Sequence, residues 1–160
     1  MENSRVDRTA LVVDDDVFVL SALAELLTEE GFDVHTASNG FSASRLAAEC
    51  RPALILLDVK LPERSGGDLL GELRDEPATR DSAIVIVSAN AHLLSETQLT
   101  QVDAIIPKPF DINELMAVVH RELQHAAARH AEVPPITATA HIRPRRTRRA
   151  TPTRTPRGRR

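Results

Sequence analysis

Three aspartates, a serine and a lysine each end or directly follow a short apolar run of this 160-residue chain. Asp14 and Asp15 come after "ALVV", and Asp58 comes after "ALILL". Ser88 ends "AIVIVS", and Lys108 lies in "PKPF" behind the run "DAII". Carboxylate oxygens are the ligands that Mg²⁺ prefers, and a cation, an ammonium and a hydroxyl together suit a phosphoryl group. If the fold brings these side chains together, they form a site for phosphoryl chemistry.

The three carboxylates would repel one another at such a site. Two unit charges about 4 Å apart repel by roughly 4 kcal/mol at an effective dielectric constant of 20. Either the carboxyl pKa values rise or a cation lies among them. We therefore expect Asp14, Asp15 and Asp58 to bind Mg²⁺, with Lys108 as a second positive charge.

The apolar runs alternate with amphipathic stretches along the chain. Five runs have strand length: "ALVV", "FDVHTAS", "ALILLD", "AIVIVS" and "DAII". The stretch after the first run has apolar residues at Val17, Leu20, Leu23, Ala24 and Leu27, which is one face of a helix. This alternation predicts an α/β fold, a flavodoxin-like doubly wound sheet of five parallel strands in the order 2-1-3-4-5 with five helices.

This strand order predicts where the chemistry would occur. Ligands of doubly wound sheets bind outside the carboxyl ends of the strands. In the order 2-1-3-4-5, the strands that carry the aspartates, the serine and the lysine are consecutive neighbours. All five side chains should therefore lie at one edge of the sheet. Gly66 and Gly67 should permit the turn into the third helix.

Charge divides the chain into two parts. Residues 1–125 hold 22 Asp and Glu against 10 Lys and Arg, a formal net charge of −12. Residues 126–160 hold 10 Arg against one Glu, a net charge of +9, with many Pro and Thr and few apolar side chains. Such a composition cannot bury enough surface to offset chain entropy. The sequence predicts a folded domain over 8–125 and a disordered Arg-, Pro- and Thr-rich tail over 126–160.

Composition also bears on location and partners. The single cysteine, Cys50, cannot form an internal disulfide, which favours a reducing compartment. No apolar run approaches the roughly 18 residues of a membrane helix, and "MENSRVDRTA" lacks the apolar stretch of a signal peptide. We predict a cytoplasmic protein without membrane insertion. With no Trp or Tyr and four Phe, aromatic stacking is a poor candidate for its recognition chemistry.

Taken in order, the motifs "LVVDDD", "LILLDVKLPERSGG", "IVIVSAN" and "PKPF" resemble the signature regions of receiver domains of bacterial two-component response regulators. The resemblance covers about residues 8–125. It implies a stand-alone receiver in a phosphorelay, with self-catalysed phosphotransfer and slow autodephosphorylation but no other enzymatic activity. The phosphoryl donor would be a sensor histidine kinase or a histidine phosphotransfer protein. The output would be a changed affinity for a downstream protein that the sequence does not name.

The resemblance also implies roles for individual residues. Asp58 would be the nucleophile and phosphorylation site. Asp15, Asp58 and the backbone carbonyl of Lys60 would bind Mg²⁺ directly, with Asp14 acting through water. Ser88 would hydrogen-bond a phosphoryl oxygen.

Lys108 would pair with the phosphoryl group, and its peptide bond to Pro109 would be cis. Ile105, three residues before the lysine, occupies a position where similar receivers often have Tyr or Phe, and the sequence leaves open whether a switch of that aromatic type operates. The interval from Ser88 to Lys108 is slightly short, which predicts a short or loose fourth helix. Asn90 and Lys60 flank the site and should tune dephosphorylation.

Several alternatives stay open at this point. Asp14 and Asp15 could cap the first helix, although Asp16 is better placed to do so, and Ser88 could be an ordinary strand-end hydroxyl. The tail could contact nucleic acid non-specifically through its arginines, or fold back on its own acidic domain. A metal-dependent phosphatase would need a second acid or base near Asp58, which the sequence does not supply.

Overall fold

The computed structural model of the chain describes residues 8–131. Its strands are β1 (Thr9–Val13), β2 (Asp33–Ala37), β3 (Leu54–Leu57), β4 (Ala83–Ser88) and β5 (Ala104–Pro107). Its helices are α1 (Val17–Glu29), α2 (Gly40–Cys50), α3 (Gly66–Asp75), α4 (Glu96–Leu99) and α5 (Ile112–Ala131), with a 3₁₀ turn at Ala91–Leu93. None of the helices within 8–131 combines the length and the apolar character that a membrane crossing requires.

The strands form one parallel sheet in the order β2-β1-β3-β4-β5, which confirms the predicted topology. The register aligns the strand ends. Val13 pairs with Leu57, and Ser88 pairs with Pro107. Asp58 continues the alignment, since its amide donates to the carbonyl of Val13 at 2.9 Å. Residues that follow β1 and β3 therefore emerge side by side at the same edge.

Helices cover both faces of the sheet. β3 and β4 are buried over their whole length, as continuous apolar runs of a parallel sheet require. Because side chains alternate between the faces, each face has its own apolar core. On one face, α1 and α5 contribute Leu23, Leu27, Leu115 and Val119. On the other face, α2 and α3 contribute Ala43, Ala47, Leu69, Leu70 and Leu73.

Local signals fix the ends of the helices. Asp16 is the N-cap of α1, and its carboxylate accepts from the amides of Phe18 and Val19. Gly31, with φ of 91°, ends the same helix in the left-handed region that glycine adopts readily. Asp111 accepts from the amide of Glu114 at the start of α5. Asp16 thus has the capping role, and Asp14 and Asp15 remain for other functions.

One predicted boundary needs correction. The tail was expected to start at residue 126, but α5 continues to Ala131. The reason is physical: residues 126–128 are alanines, which favour helix more than any other residue, and Ala126 is buried against the core. The remainder of the predicted tail, 132–160, lies outside the described residues, and its disorder stays a prediction.

Candidate functional site

The buried aspartates of the site stand at the carboxyl ends of β1 and β3. Asp14 is 1% exposed and Asp58 is 6% exposed, whereas Asp15 faces solvent. The amide of Asp14 donates to the carbonyl of Ala37 at 3.1 Å, which ties the loop after β1 to the end of β2. The two central strands are thus anchored by their apolar side chains, and they hold two carboxylates away from water at a fixed spacing.

Lys108, which follows β5, reaches both buried carboxylates. Its Nζ lies 2.5 Å from Oδ2 of Asp14 and 3.1 Å from Oδ2 of Asp58. The peptide bond between Lys108 and Pro109 is cis, as predicted. The lysine therefore joins residues that are 94 and 50 positions away in the sequence.

The pKa values of both Asp14 and Lys108 are raised above their ordinary values. Burial raises the pKa of Asp14, and the hydrogen bond from Lys108 opposes this effect without cancelling it. Burial alone would lower the pKa of Lys108, but its hydrogen bonds to Asp14 and Asp58 outweigh that effect and raise the pKa. The amine is therefore held as an ammonium at neutral pH, as a partner for negative charge.

The carboxylates of Asp14, Asp15 and Asp58 each offer an oxygen within 4.8 Å of the other two. Oδ1 of Asp58 is buried and has no hydrogen-bond partner among the described residues. Leaving a buried acceptor unpaired costs about 1–3 kcal/mol, and more when the group is charged. Three neighbouring carboxylates, one of which has a buried oxygen without a partner among the described residues, fit a hard cation such as Mg²⁺. Lys60 is exposed in the loop after β3, and the part of its carbonyl in metal binding stays a prediction.

Ser88 is buried at the end of β4, one strand away from Asp58. Its Oγ accepts a hydrogen bond from the amide of Asn90 at 3.0 Å, and this bond fixes the first residues of the following loop. Ser88 therefore acts in part as an ordinary strand-end hydroxyl that organises the loop after β4, which is the alternative that the sequence left open. Its contact with a phosphoryl oxygen stays a prediction.

Gly66 is a site residue whose role the sequence did not reveal. Its amide donates to the carbonyl of Val59 at 2.7 Å, so the loop after β3 folds back onto the strand end. A Cβ at Gly66 would lie 2.2 Å from the backbone oxygen of Asp58. Since Ser65 already caps α3, the helix itself does not need a glycine at this position. A glycine at the first position of a helix that already has a good N-cap is the sequence pattern that could have indicated this close contact.

The region between β4 and β5 confirms the predicted short fourth helix. α4 has four residues, and Ile105 on the neighbouring edge strand is 40% exposed. The side chain of Gln98 completes a capping box with Ser95 and lies directly over Gly67. The single turn of α4 is thus held by its cap and by contact with α3, and no side chain of α4 is buried.

Comparison with known proteins identifies one family. The family model described as "Response regulator receiver domain" matches residues 10–120. The transcriptional regulatory protein KdpE of Mycobacterium tuberculosis is 36% identical over 129 residues, which cover 79% of this chain and 56% of that protein. The regulatory protein AtoC of Escherichia coli is 34% identical over 71% of this chain and 25% of that protein. The chain thus spans between a quarter and somewhat more than half of these relatives.

Solved structures share the fold over about three quarters of the chain. A sensor protein from Polaromonas sp. is 32% identical with a TM-score of 0.68, over 74% of this chain and 97% of that chain. The response regulator protein TrrA from Thermotoga maritima, solved in complex with Mg(2+)-BeF, is 31% identical with a TM-score of 0.66, over 72% of this chain and 98% of that chain. The range matched by the family model, 10–120, includes Asp14, Asp15, Asp58, Ser88 and Lys108.

Proposed function

The chain belongs to the response regulator receiver domain family, and from this premise we propose that Asp58 accepts the phosphoryl group of a two-component phosphorelay. The observation that carries the proposal is the state of its carboxylate. One oxygen is bound by Lys108, and the other is buried without a partner among the described residues, next to Asp14 and Asp15. A carboxylate that is isolated from water and surrounded by charge is suited to form an acyl phosphate.

The proposed reaction is a displacement at phosphorus. The carboxylate of Asp58 attacks the phosphorus of a phosphohistidine, an O–P bond forms, and the N–P bond breaks with its electron pair going to the imidazole. The ammonium of Lys108, 3.1 Å from Asp58, is positioned to move onto the new phosphoryl oxygens. The hydroxyl of Ser88, at the end of the adjacent strand, would donate to the same group.

Asp14, Asp15, Asp58 and the carbonyl of Lys60 would hold Mg²⁺. When bound, the ion neutralises charge on the transferring phosphoryl group. The protein's own contribution is placement: Asp14 stays fixed by burial and by Lys108, and Asp15 is exposed to solvent, where its carboxylate would be accessible to the ion. Asn90 and Lys60 flank the site and would set the rate of hydrolysis of the acyl phosphate.

The proposed partners follow from this chemistry. The donor is the phosphohistidine of a sensor histidine kinase or of a histidine phosphotransfer protein in the cytoplasm. The product is a receiver with altered affinity for a downstream protein, and turnover is limited to its own acyl phosphate. A metal-dependent phosphatase is not favoured, because the family match is to a phosphoacceptor domain. Non-specific nucleic-acid contact by the tail stays a prediction, since 132–160 lie outside the described residues.

Intact-mass measurement tests the proposal. Acetyl phosphate with Mg²⁺ should add one phosphoryl group to the wild-type chain, and Asp58→Asn should abolish the addition. Asp16→Asn is the matched control, because Asn caps a helix as well as Asp does and Asp16 is committed to the cap. An unmodified wild-type chain, or unchanged phosphorylation of Asp58→Asn, would contradict the proposal.

A further inference from the structure

A groove of about 480 Å³ lies at the edge of the sheet opposite the aspartates. It opens where β3 and β4 begin, beside Pro52, and the loop between α3 and β4 forms its second wall with Pro77 and Ala78. The third wall comes from the last part of α5, where Ala126 is buried and Ala127 is exposed. Most of its lining side chains are apolar, so an occupant with small apolar side chains would suit it.

The described chain ends next to this groove. α5 runs from the edge that carries the site to the opposite edge, and it ends at Ala131. Ala127 precedes that end by four residues, about 6 Å along a helix at a rise of about 1.5 Å per residue. The sequence then continues for 29 residues, 132–160. The described chain thus ends close to the wall of the groove that α5 provides.

The sequence that follows α5 begins with an apolar segment, which suits the apolar lining of the groove. Residues 133–136 read "VPPI", which is the longest uninterrupted apolar run in 132–160. Two successive prolines are strongly disfavoured inside a helix, so this sequence does not favour an extension of α5. Ile136 is five positions after Ala131, and an extended chain covers roughly 17 Å over five positions. This length exceeds the roughly 6 Å between Ala127 and Ala131 along the helix, so Ile136 can return to the wall that Ala127 lines.

We propose that residues 133–136 fold back and occupy this groove, with Val133 and Ile136 against Ala127 and Ala78. Charge favours the same arrangement. Residues 8–131 contain 20 Asp and Glu against 10 Lys and Arg, a net charge of −10, whereas 137–160 contain nine Arg and no acid. The occupied groove would thus fix the start of a cationic segment against the amino-end edge of an acidic domain, away from Asp58.

The test uses amide NMR spectra of the full-length chain. Ile136→Asp should shift the signals of groove amides such as Ala53, Ala78 and Ala127, and Ala140→Asp, the matched control in the same tail, should leave them in place. In the reverse direction, Ala127→Glu places a charge in the groove from an exposed helix position. The Val133 and Ile136 amides should then move to the positions of residues in an undocked chain. Asp58 phosphorylation should be equal in all variants, which shows that each one is folded.

Three results would overturn the proposal. Unchanged chemical shifts of the groove amides in Ile136→Asp would show that the segment does not dock. Shifts that depend on protein concentration would assign the groove to a second copy of the chain. Shifts that appear only when a duplex oligonucleotide is added would assign the tail to a polyanion instead of the groove.

Discussion

Replacement of Lys108 by Met is the substitution that should perturb the site most informatively. Lys108 is the counter-charge of two buried carboxylates, at 2.5 Å from Asp14 and 3.1 Å from Asp58. Methionine keeps most of the side-chain length and removes the charge. Asp14 and Asp58 would then face each other, and face Asp15, without a cation from the protein.

The expected loss of stability follows from burial and distance. At an effective dielectric constant of 20, the two ion pairs represent about 7 and 5 kcal/mol of attraction at 2.5 and 3.1 Å, and desolvation cancels most of it. Removing one partner of a buried pair costs about 3–5 kcal/mol. Because the Lys108 side chain is 19% exposed, water can partly replace it. We therefore expect the free energy of unfolding of Lys108→Met to fall by about 3 kcal/mol without added metal, at the lower end of that range.

Urea denaturation followed by far-ultraviolet circular dichroism measures this loss, in buffer with EDTA and again with Mg²⁺. Mg²⁺ should stabilise the variant more than the wild type, since it restores positive charge among the three aspartates. Lys60→Met is the matched control: Lys60 is the other lysine of the chain and is exposed, so its replacement should change stability by less than about 0.5 kcal/mol. If both variants lose the same small amount and neither responds to Mg²⁺, the electrostatic reasoning about this site is wrong.

Three further substitutions test separate parts of the account. Gly66→Ala should lower the free energy of unfolding by at least about 2 kcal/mol and slow phosphorylation, because its Cβ would lie 2.2 Å from the backbone oxygen of Asp58. The control Gly71→Ala, which has open space around its Cβ, should stabilise α3 by about 0.5–1 kcal/mol. Equal changes of both variants in urea denaturation would refute the argument that Gly66 is needed for close packing against Asp58. Asp15→Asn should weaken Mg²⁺ binding in an NMR titration while leaving stability unchanged, because Asp15 is exposed; undiminished affinity would remove it from the metal site. Asp16→Ala should lower the free energy of unfolding by about 1 kcal/mol through loss of the α1 cap and leave the final extent of phosphorylation unchanged. A loss of phosphorylation would show that Asp16 belongs to the site.

The strands and the position of the site could be predicted from the sequence because both follow from the burial of apolar runs in a parallel sheet. Continuous apolar runs such as Leu54–Leu57 have to be buried on both faces, and parallel strands place whatever follows them at a common edge. Once the strand order was inferred, the proximity of Asp14, Asp58 and Lys108 followed without any knowledge of side-chain geometry. The structure adds the distances and shows that one oxygen of Asp58 has no partner among the described residues.

Other features depended on contacts that no local pattern encodes. The contact of Gly66 with the Asp58 carbonyl depends on the path of the intervening loop, and the bond from Asn90 to Ser88 depends on how the chain leaves β4. The predicted boundary between domain and tail at 125/126 falls inside α5, because the change of charge after 125 was interpreted as the end of the domain. Helix propensity and the burial of Ala126 instead carry the helix on to Ala131.

The central claim is that the acyl phosphate forms on Asp58, and peptide mapping after borohydride reduction tests it most directly. Reduction converts a phosphorylated aspartate into homoserine, which leaves a permanent mark in the peptide. After treatment with acetyl phosphate and Mg²⁺, homoserine should appear at position 58 and at no other aspartate of the chain. An unmarked chain, or homoserine at Asp14 or Asp15 with position 58 intact, would contradict the account.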